Sequence, residues 1–149
     1  MNILEKITER KKYEVSKLKK KNSYSFLEKS SYFNIPSKNL AKRILDNKIS
    51  IIAEHKRKSP SKNIINDNLS IEYVIDGYKN AKVSGISVLT DSHFFGGSKQ
   101  DLKISKEIFS GPVLRKDFII DEFQVIESKS LGACSYEPLT VQQRRFLKV

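Results

Sequence analysis

The chain repeats one pattern three times: a short aliphatic run, a group of polar residues, and then an amphipathic helical pattern. The aliphatic runs predict strands at residues 50–54, 86–90 and 112–116. The helical patterns predict helices at residues 71–78, 99–109 and 122–131. Ser70 and Asp121 are suited to cap the first and third of these helices, and Gly132 to end the third. Alternating strands and helices predict an α/β fold with a parallel sheet.

The predicted strands end in polar residues that a buried core would not need. Glu54 and Lys56 lie two positions apart, so their side chains point to the same side, and Ser59 follows in a Pro-containing loop. One such strand end, taken alone, would be interpreted as a surface ion pair. Because Asp91 and Lys116 end the other two runs in the same way, we interpret these strand ends as a ligand site, which α/β folds build there.

Two further helices are predicted ahead of the repeat, at residues 3–20 and 38–47, with Pro36 in the connection between them. The first carries lysines on one face and at its end. The formal net charge of +11 raises the question of a nucleic-acid partner. No aromatic residues interleave the lysine cluster at 17–21 as base-stacking platforms would, so we expect a solvated helix face and no nucleic acid.

Composition excludes several kinds of site and of protein. Cys134 is the only cysteine of the 149 residues, so neither a disulfide nor a thiolate metal site is expected. With only His55 and His93 and no acidic cluster, we expect no metal site of any kind, and the sequence calls for no cofactor. No apolar stretch is long enough for a membrane span, so the sequence indicates a cytoplasmic protein with no membrane partner.

Four motifs in order carry a resemblance to a known family. They are Ile-Ala-Glu-x-Lys-Arg-x-Ser-Pro-Ser at 52–61, Ser-Val-Leu-Thr-Asp at 87–91, Phe-x-Gly-Ser at 95–98 and Pro-Val-Leu-Arg-Lys-Asp-Phe at 112–118. Over residues 1–133 the chain resembles indole-3-glycerol-phosphate synthase. The resemblance implies a TIM (β/α)8 barrel with an N-terminal helical extension. It also implies a carboxy-lyase of tryptophan biosynthesis, whose phosphorylated, anthranilate-derived substrate is 1-(2-carboxyphenylamino)-1-deoxyribulose 5-phosphate.

The resemblance gives three charged residues catalytic roles. Lys116 would be the general acid that protonates the carbonyl side of the ring closure. Lys56 would hold the substrate carboxylate and help expel it as carbon dioxide, and Glu54 would orient Lys56. The ordinary alternative for each is a strand-end ion cluster.

The resemblance also implies residues that contact the substrate. Phe95 and Phe118 would flank the anthranilate ring, although either would otherwise be interpreted as core, as we interpret Phe94. Ser59 would be a polar substrate contact, and a turn-capping serine before Pro60 is nearly as plausible.

The family pattern stops after Ala133. We therefore expect an N-terminal helical extension at 1–48, a partial barrel with three βα units at 49–133, and a non-family tail at 134–149 that contributes no strand of family length. A whole barrel takes about 250 residues, so the sequence favours a truncated member, as from a frameshifted gene, over a naturally short fold. The family's second catalytic Glu, an Asn and the phosphate-binding loops come from later strands. The alternative function is thus a catalytically incomplete half-barrel that needs a complementing second half.

Overall fold

The computed structural model describes residues 2–138, with side chains as far as residue 134. Three helices come first: α1 (Ile3–Lys21), α2 (Tyr24–Glu28) and α3 (Leu40–Leu45). The helix predicted at 3–20 is confirmed, and the one predicted at 38–47 is present but shorter. Helix α2 was not predicted; it begins at Ser23, whose hydroxyl accepts the backbone N–H of Phe26 at 3.2 Å.

Strands and helices then alternate. The elements are β1 (Ile52–His55), α4 (Ile71–Asn80), β2 (Gly85–Leu89), α5 (Ser92–Phe95), α6 (Lys99–Ile108), β3 (Val113–Asp117), α7 (Glu122–Ser130) and β4 (Ser135–Pro138). All four strands are parallel, in the order β1-β2-β3-β4. The prediction of three adjacent parallel strands with helices between them is confirmed.

The helix boundaries follow from capping chemistry. Ser70 accepts the N–H of Tyr73 at 3.2 Å at the start of α4, and Asp121 accepts the N–H of Phe123 at 2.9 Å at the start of α7. Gly132, at φ 85°, takes the left-handed conformation just beyond α7. The three predicted end residues are therefore confirmed.

One face of the sheet packs against the helices and forms the core. Because side chains alternate along a strand, β2 contributes Ile86 and Val88 to this layer and β3 contributes Val113. The buried core residues are Ile71, Ile75, Val83, Ile86, Val88, Leu102, Phe109, Val113, Leu131 and Ala133. The intervening strand residues, including Glu54 and Lys116, face the other side.

A fourth strand corrects one expectation. Residues 134–149 were expected to hold no strand of family length, yet Ser135–Pro138 pairs with β3 in parallel and is as long as β1. Parallel pairing uses backbone groups, so the free edge of β3 accepts a segment that lacks alternating apolar residues. Pro138 is tolerated because β4 is an edge strand of the described sheet. Residues 139–149 lie outside the described residues. Among residues 2–138, no helix is long and apolar enough to cross a membrane.

Candidate active site

Three charged side chains meet at the carboxyl ends of β1 and β3. The carboxylate of Glu54 lies 3.1 Å from the Lys56 ammonium through Oε1 and 3.1 Å from the Lys116 ammonium through Oε2. Strand register explains the meeting, because Glu54 is paired with Ser87 of the intervening strand β2 and Lys116 with Leu89. The prediction that Glu54, Lys56, Asp91 and Lys116 gather at the carboxyl ends of the strands is confirmed for Glu54, Lys56 and Lys116. Asp91 lies at the same end of the sheet but pairs with Lys11.

The central carboxylate of this cluster is held charged. Burial alone would raise the pKa of Glu54, but hydrogen bonds from Lys116 and Lys56 lower it below its ordinary value. The Ser87 hydroxyl donates a further hydrogen bond to Oε2 at 3.1 Å. Sequence reasoning missed Ser87; the available signal was a hydroxyl at the centre of the otherwise apolar run Gly-Ile-Ser-Val-Leu. Side-chain exposure is 25% for Glu54 and for Lys116 and 35% for Lys56, so solvent and solute can reach all three.

Two aromatic rings lie at the same end of the sheet. The ring centroids of Phe95, in α5 after β2, and Phe118, after β3, are 5.9 Å apart with planes tilted by 39°. Phe118 is buried and Phe95 is half-buried. The structure thus brings together the two aromatic residues predicted to flank a substrate ring. Phe94, expected in the core, is only half-buried and contacts the ring of His93 edge-on.

Ser59 lies in the loop between β1 and α4 and closes a turn. Its backbone exchanges hydrogen bonds with Lys62 at 2.8 and 3.1 Å, and its hydroxyl accepts the Lys62 N–H at 3.1 Å. The turn-closing role considered from the sequence is therefore present. Arg57 anchors the same loop, because its guanidinium donates to the carbonyl oxygen of Gly96 at 3.1 Å and pairs with Asp101.

His55 points to the opposite side of the sheet from Glu54, as the strand alternation requires. It is buried, and its Nε2 has no hydrogen-bond partner among the described residues. Burial and the nearby Arg57 lower its pKa, which favours the neutral imidazole. Among the described side chains, which end at residue 134, no three His, Cys, Asp or Glu are grouped so as to hold a metal ion.

A second ionic cluster lies behind the first, on the helix side of the sheet. The ammonium of Lys11, from α1, lies 2.9 Å from Asp91, 2.9 Å from Asp117 and 3.0 Å from Glu14. Burial would lower the pKa of Lys11, but Asp117 and Asp91 raise it well above its ordinary value. Burial would likewise raise the pKa of Asp117, but Arg115 and Lys11 lower it to about 2. Lys11 and Asp117 therefore both stay charged at neutral pH.

Arg115 extends this cluster into α7. Its side chain is 1% exposed and pairs with Asp117 at 3.0 Å and Glu127 at 2.9 Å. It also donates to the hydroxyls of Thr90 at 3.0 Å and Ser128 at 3.1 Å. Asp91 thus lies at the carboxyl end of β2 as predicted, but it pairs with Lys11 rather than with the Glu54 cluster.

Comparison with known proteins gives one consistent result. A family model described as indole-3-glycerol phosphate synthase matches residues 4–135. Proteins of that name are 48% identical over 96 residues in Clostridium kluyveri, 36% over 132 residues in Bacteroides thetaiotaomicron and 42% over 132 residues in Caldanaerobacter subterraneus. These matches cover 64%, 89% and 88% of this chain and 37%, 51% and 50% of the relatives. The chain therefore spans about half the length, or less, of these relatives.

Proposed function

The chain belongs to the indole-3-glycerol phosphate synthase family, and from that premise we propose that it carries the acid–base part of that enzyme's site. The reaction would close 1-(2-carboxyphenylamino)-1-deoxyribulose 5-phosphate to indole-3-glycerol phosphate in cytoplasmic tryptophan biosynthesis. A bond forms between the carboxylate-bearing ring carbon and the carbonyl carbon. The carboxylate leaves as carbon dioxide. The carbonyl oxygen takes up two protons, one from a general acid and one balanced by loss of a hydrogen from the adjacent C1′ carbon, and leaves as water as the ring double bond forms.

The observation that carries the proposal is one carboxylate between two ammonium groups. Lys116, within 3.1 Å of Glu54, is oriented to protonate the substrate's carbonyl oxygen. Lys56, held by the other oxygen of Glu54, binds the substrate carboxylate and assists its loss. Glu54 holds both ammonium groups in place. A surface ion pair would need only one lysine.

The aromatic pair, Phe95 and Phe118, makes the same site suited to bind an anthranilate ring. Phe95 and Phe118 would contact the ring faces and edges, and each such contact is worth about 0.5–1.5 kcal/mol beyond simple burial. Ser59 is proposed as a polar contact from the loop after β1. Its hydroxyl accepts the Lys62 N–H at 3.1 Å and donates to the Lys62 carbonyl oxygen only at 3.5 Å, a long bond that a substrate oxygen could replace.

We further propose that turnover needs a second polypeptide with the later βα units. Strand β1 has a partner only on its β2 side within the described sheet, and Ile51 and Ile52 beside that edge are 58% and 43% exposed. Unpaired edges of this kind recruit strands. The later units would supply the family's second Glu and phosphate-binding loops, so the extension at 1–48 and the barrel residues at 49–133 form one half of the catalytic unit.

The test is a fluorescence assay of indole-3-glycerol phosphate formation. The chain alone should turn over almost nothing, because each missing acid–base or electrostatic group costs about a hundredfold or more. Mixing it with the later half of a complete family member should restore activity. Lys116→Ala should abolish the restored activity, and so should Lys116→Arg, because a guanidinium keeps the charge but does not release a proton.

Separate controls test the acid–base role of Lys116 and the need for a second half. Lys99→Ala removes a lysine of comparable exposure from the helix side of the sheet and should leave restored activity unchanged. Ile52→Lys, at the β1 edge, should weaken complementation, whereas Leu45→Lys, 83% exposed on α3, should not. Appreciable turnover by the chain alone would refute the need for a second half. Full activity of the Lys116→Ala mixture would refute the acid–base assignment.

A further inference from the structure

Lys11 links helix α1 to both segments that carry the aromatic pair. It is 4% exposed although it lies on a helix with a largely charged surface. Its single ammonium lies 2.9 Å from Asp91, at the end of β2, and 2.9 Å from Asp117, at the end of β3. A buried lysine shared by two carboxylates fixes the distance between them, because a displacement of either leaves a buried charge without its partner.

Asp91 connects Lys11 to Phe95. While Oδ2 of Asp91 faces the ammonium, Oδ1 accepts the backbone N–H of Phe94 at 2.7 Å and caps the short helix α5. Phe95 is the last residue of that helix. Four residues make too few internal hydrogen bonds to fix their own position, so the direction of α5 depends on its cap.

Asp117 connects Lys11 to Phe118. Its Oδ1 faces the ammonium and also accepts the backbone N–H of Phe118 at 2.8 Å. Its Oδ2 accepts from the Thr90 hydroxyl at 2.6 Å and from Arg115. The peptide that leads from Lys116 to the aromatic ring is thereby held from the helix side of the sheet.

We propose that Lys11 is a positioning residue: by bridging Asp91 and Asp117 it sets the spacing of Phe95 and Phe118 for an aromatic substrate. This role rests on the proposed function, since it concerns the same aromatic wall. It also gives α1 a part in the site although α1 lies outside the alternating strands and helices. A misplacement of about 1 Å in a reacting group costs up to about a hundredfold in rate, so the bridge matters without contacting substrate.

Two variants and one matched control test this role. Lys11→Met keeps roughly the length of the side chain and removes its positive charge. Asp91→Asn retains a good helix cap but loses the ion pair, and it leaves Lys11 paired with Asp117, so it folds even where Lys11→Met does not. The control is Lys19→Met, which removes another ion pair of α1, formed at 3.0 Å with Asp121, the residue that caps α7.

The first readout is the nuclear Overhauser cross-peak between the rings of Phe95 and Phe118 in the 13C-labelled chain, which needs no turnover. The second is the affinity for anthranilate, followed by its own fluorescence. In Lys11→Met and Asp91→Asn the cross-peak should lose most of its intensity, and anthranilate should bind about two- to tenfold more weakly, as expected for one aromatic contact. Lys19→Met should match the wild-type chain in both readouts.

Each result has a defined meaning. An unchanged cross-peak in Asp91→Asn would overturn the proposal, as would an equal loss in Lys19→Met, which would show a general effect of α1 docking. If the wild-type chain does not bind anthranilate, the proposed function fails while the cross-peak still tests the bridge. In complemented enzyme, Lys11→Met should lower kcat/KM about tenfold or more beyond Lys19→Met, and an equal effect of the two would also overturn the role.

Discussion

Replacing Arg115 by methionine should be among the most destabilising single changes in the chain. The guanidinium is 1% exposed, forms ion pairs with Asp117 and Glu127, and donates to Thr90, Ser128 and the backbone. Methionine fills the space of the stem but pairs with none of these groups. Removing one member of a buried ionic cluster typically costs about 3–5 kcal/mol, because the remaining charges stay buried.

The structure sets the expected value near the lower limit of that range. Asp117 keeps the ammonium of Lys11 at 2.9 Å, and Glu127 keeps that of Lys99 at 2.6 Å, so each carboxylate retains one cation. We therefore expect a loss of about 3 kcal/mol. That is a large share of the roughly 5–15 kcal/mol that holds an average domain folded.

Urea unfolding followed by far-ultraviolet circular dichroism measures this change without a tryptophan, which the sequence lacks. Lys99→Met is the matched control, because it removes a cation from the same Glu127 but from a side chain that is 33% exposed. Partly exposed pairs contribute about 0–1 kcal/mol, so this variant should lose less than about 1 kcal/mol. If Arg115→Met costs no more than Lys99→Met, the buried cluster does not stabilise the fold as we infer.

Three further predictions concern stability. Gly97→Ala should prevent normal folding or cost several kcal/mol, because an added Cβ would lie 2.0 Å from the backbone oxygen of Leu89. Gly77→Ala, with open space around it in α4, should instead stabilise the fold by about 0.5–1 kcal/mol in the same urea assay. The pKa of Asp117 is about 2 in the folded chain against an ordinary 3.8. Its contribution of about 2 kcal/mol to the free energy of unfolding should therefore be complete above pH 4 and vanish as the pH falls toward 2. Asp117→Asn should lose that part of the acid dependence, and an acid transition unchanged by the substitution would contradict this assignment. Ser70→Ala should lower the melting temperature through about 1 kcal/mol of lost capping, and no change would show that the cap is not needed.

Local patterns were sufficient to predict most of the elements. A period of two in the strands placed Glu54 and Lys56 on one side, and capping residues placed helix ends at Ser70 and Asp121. The fourth strand was missed because Ser135–Pro138 has no apolar alternation, and its pairing depends on the free edge of β3 rather than on its own sequence.

The bridge of Lys11 could not be predicted by the same rules. Its partners come from strand ends far along the chain, and among so many lysines it resembles one more solvated side chain. A weak signal does exist in retrospect: Lys11 lies four residues after Ile7 and four before Val15, the other two buried positions of α1. A lysine on the apolar stripe of a helix indicates a buried acidic partner, but not which one.

The run Arg115-Lys116-Asp117 shows why site and support are adjacent in this sequence. Alternation sends the two outer side chains to the helix side, where they join the buried cluster, and turns Lys116 to the opposite face beside Glu54. In the proposed function the Lys116 ammonium both pairs with a carboxylate and contacts a substrate, and this double role needs a backbone that does not shift when the substrate binds. The two flanking residues provide that constraint, because their charges are satisfied only in the present register of β3. A change at either should therefore alter the chemistry of Lys116 without touching it.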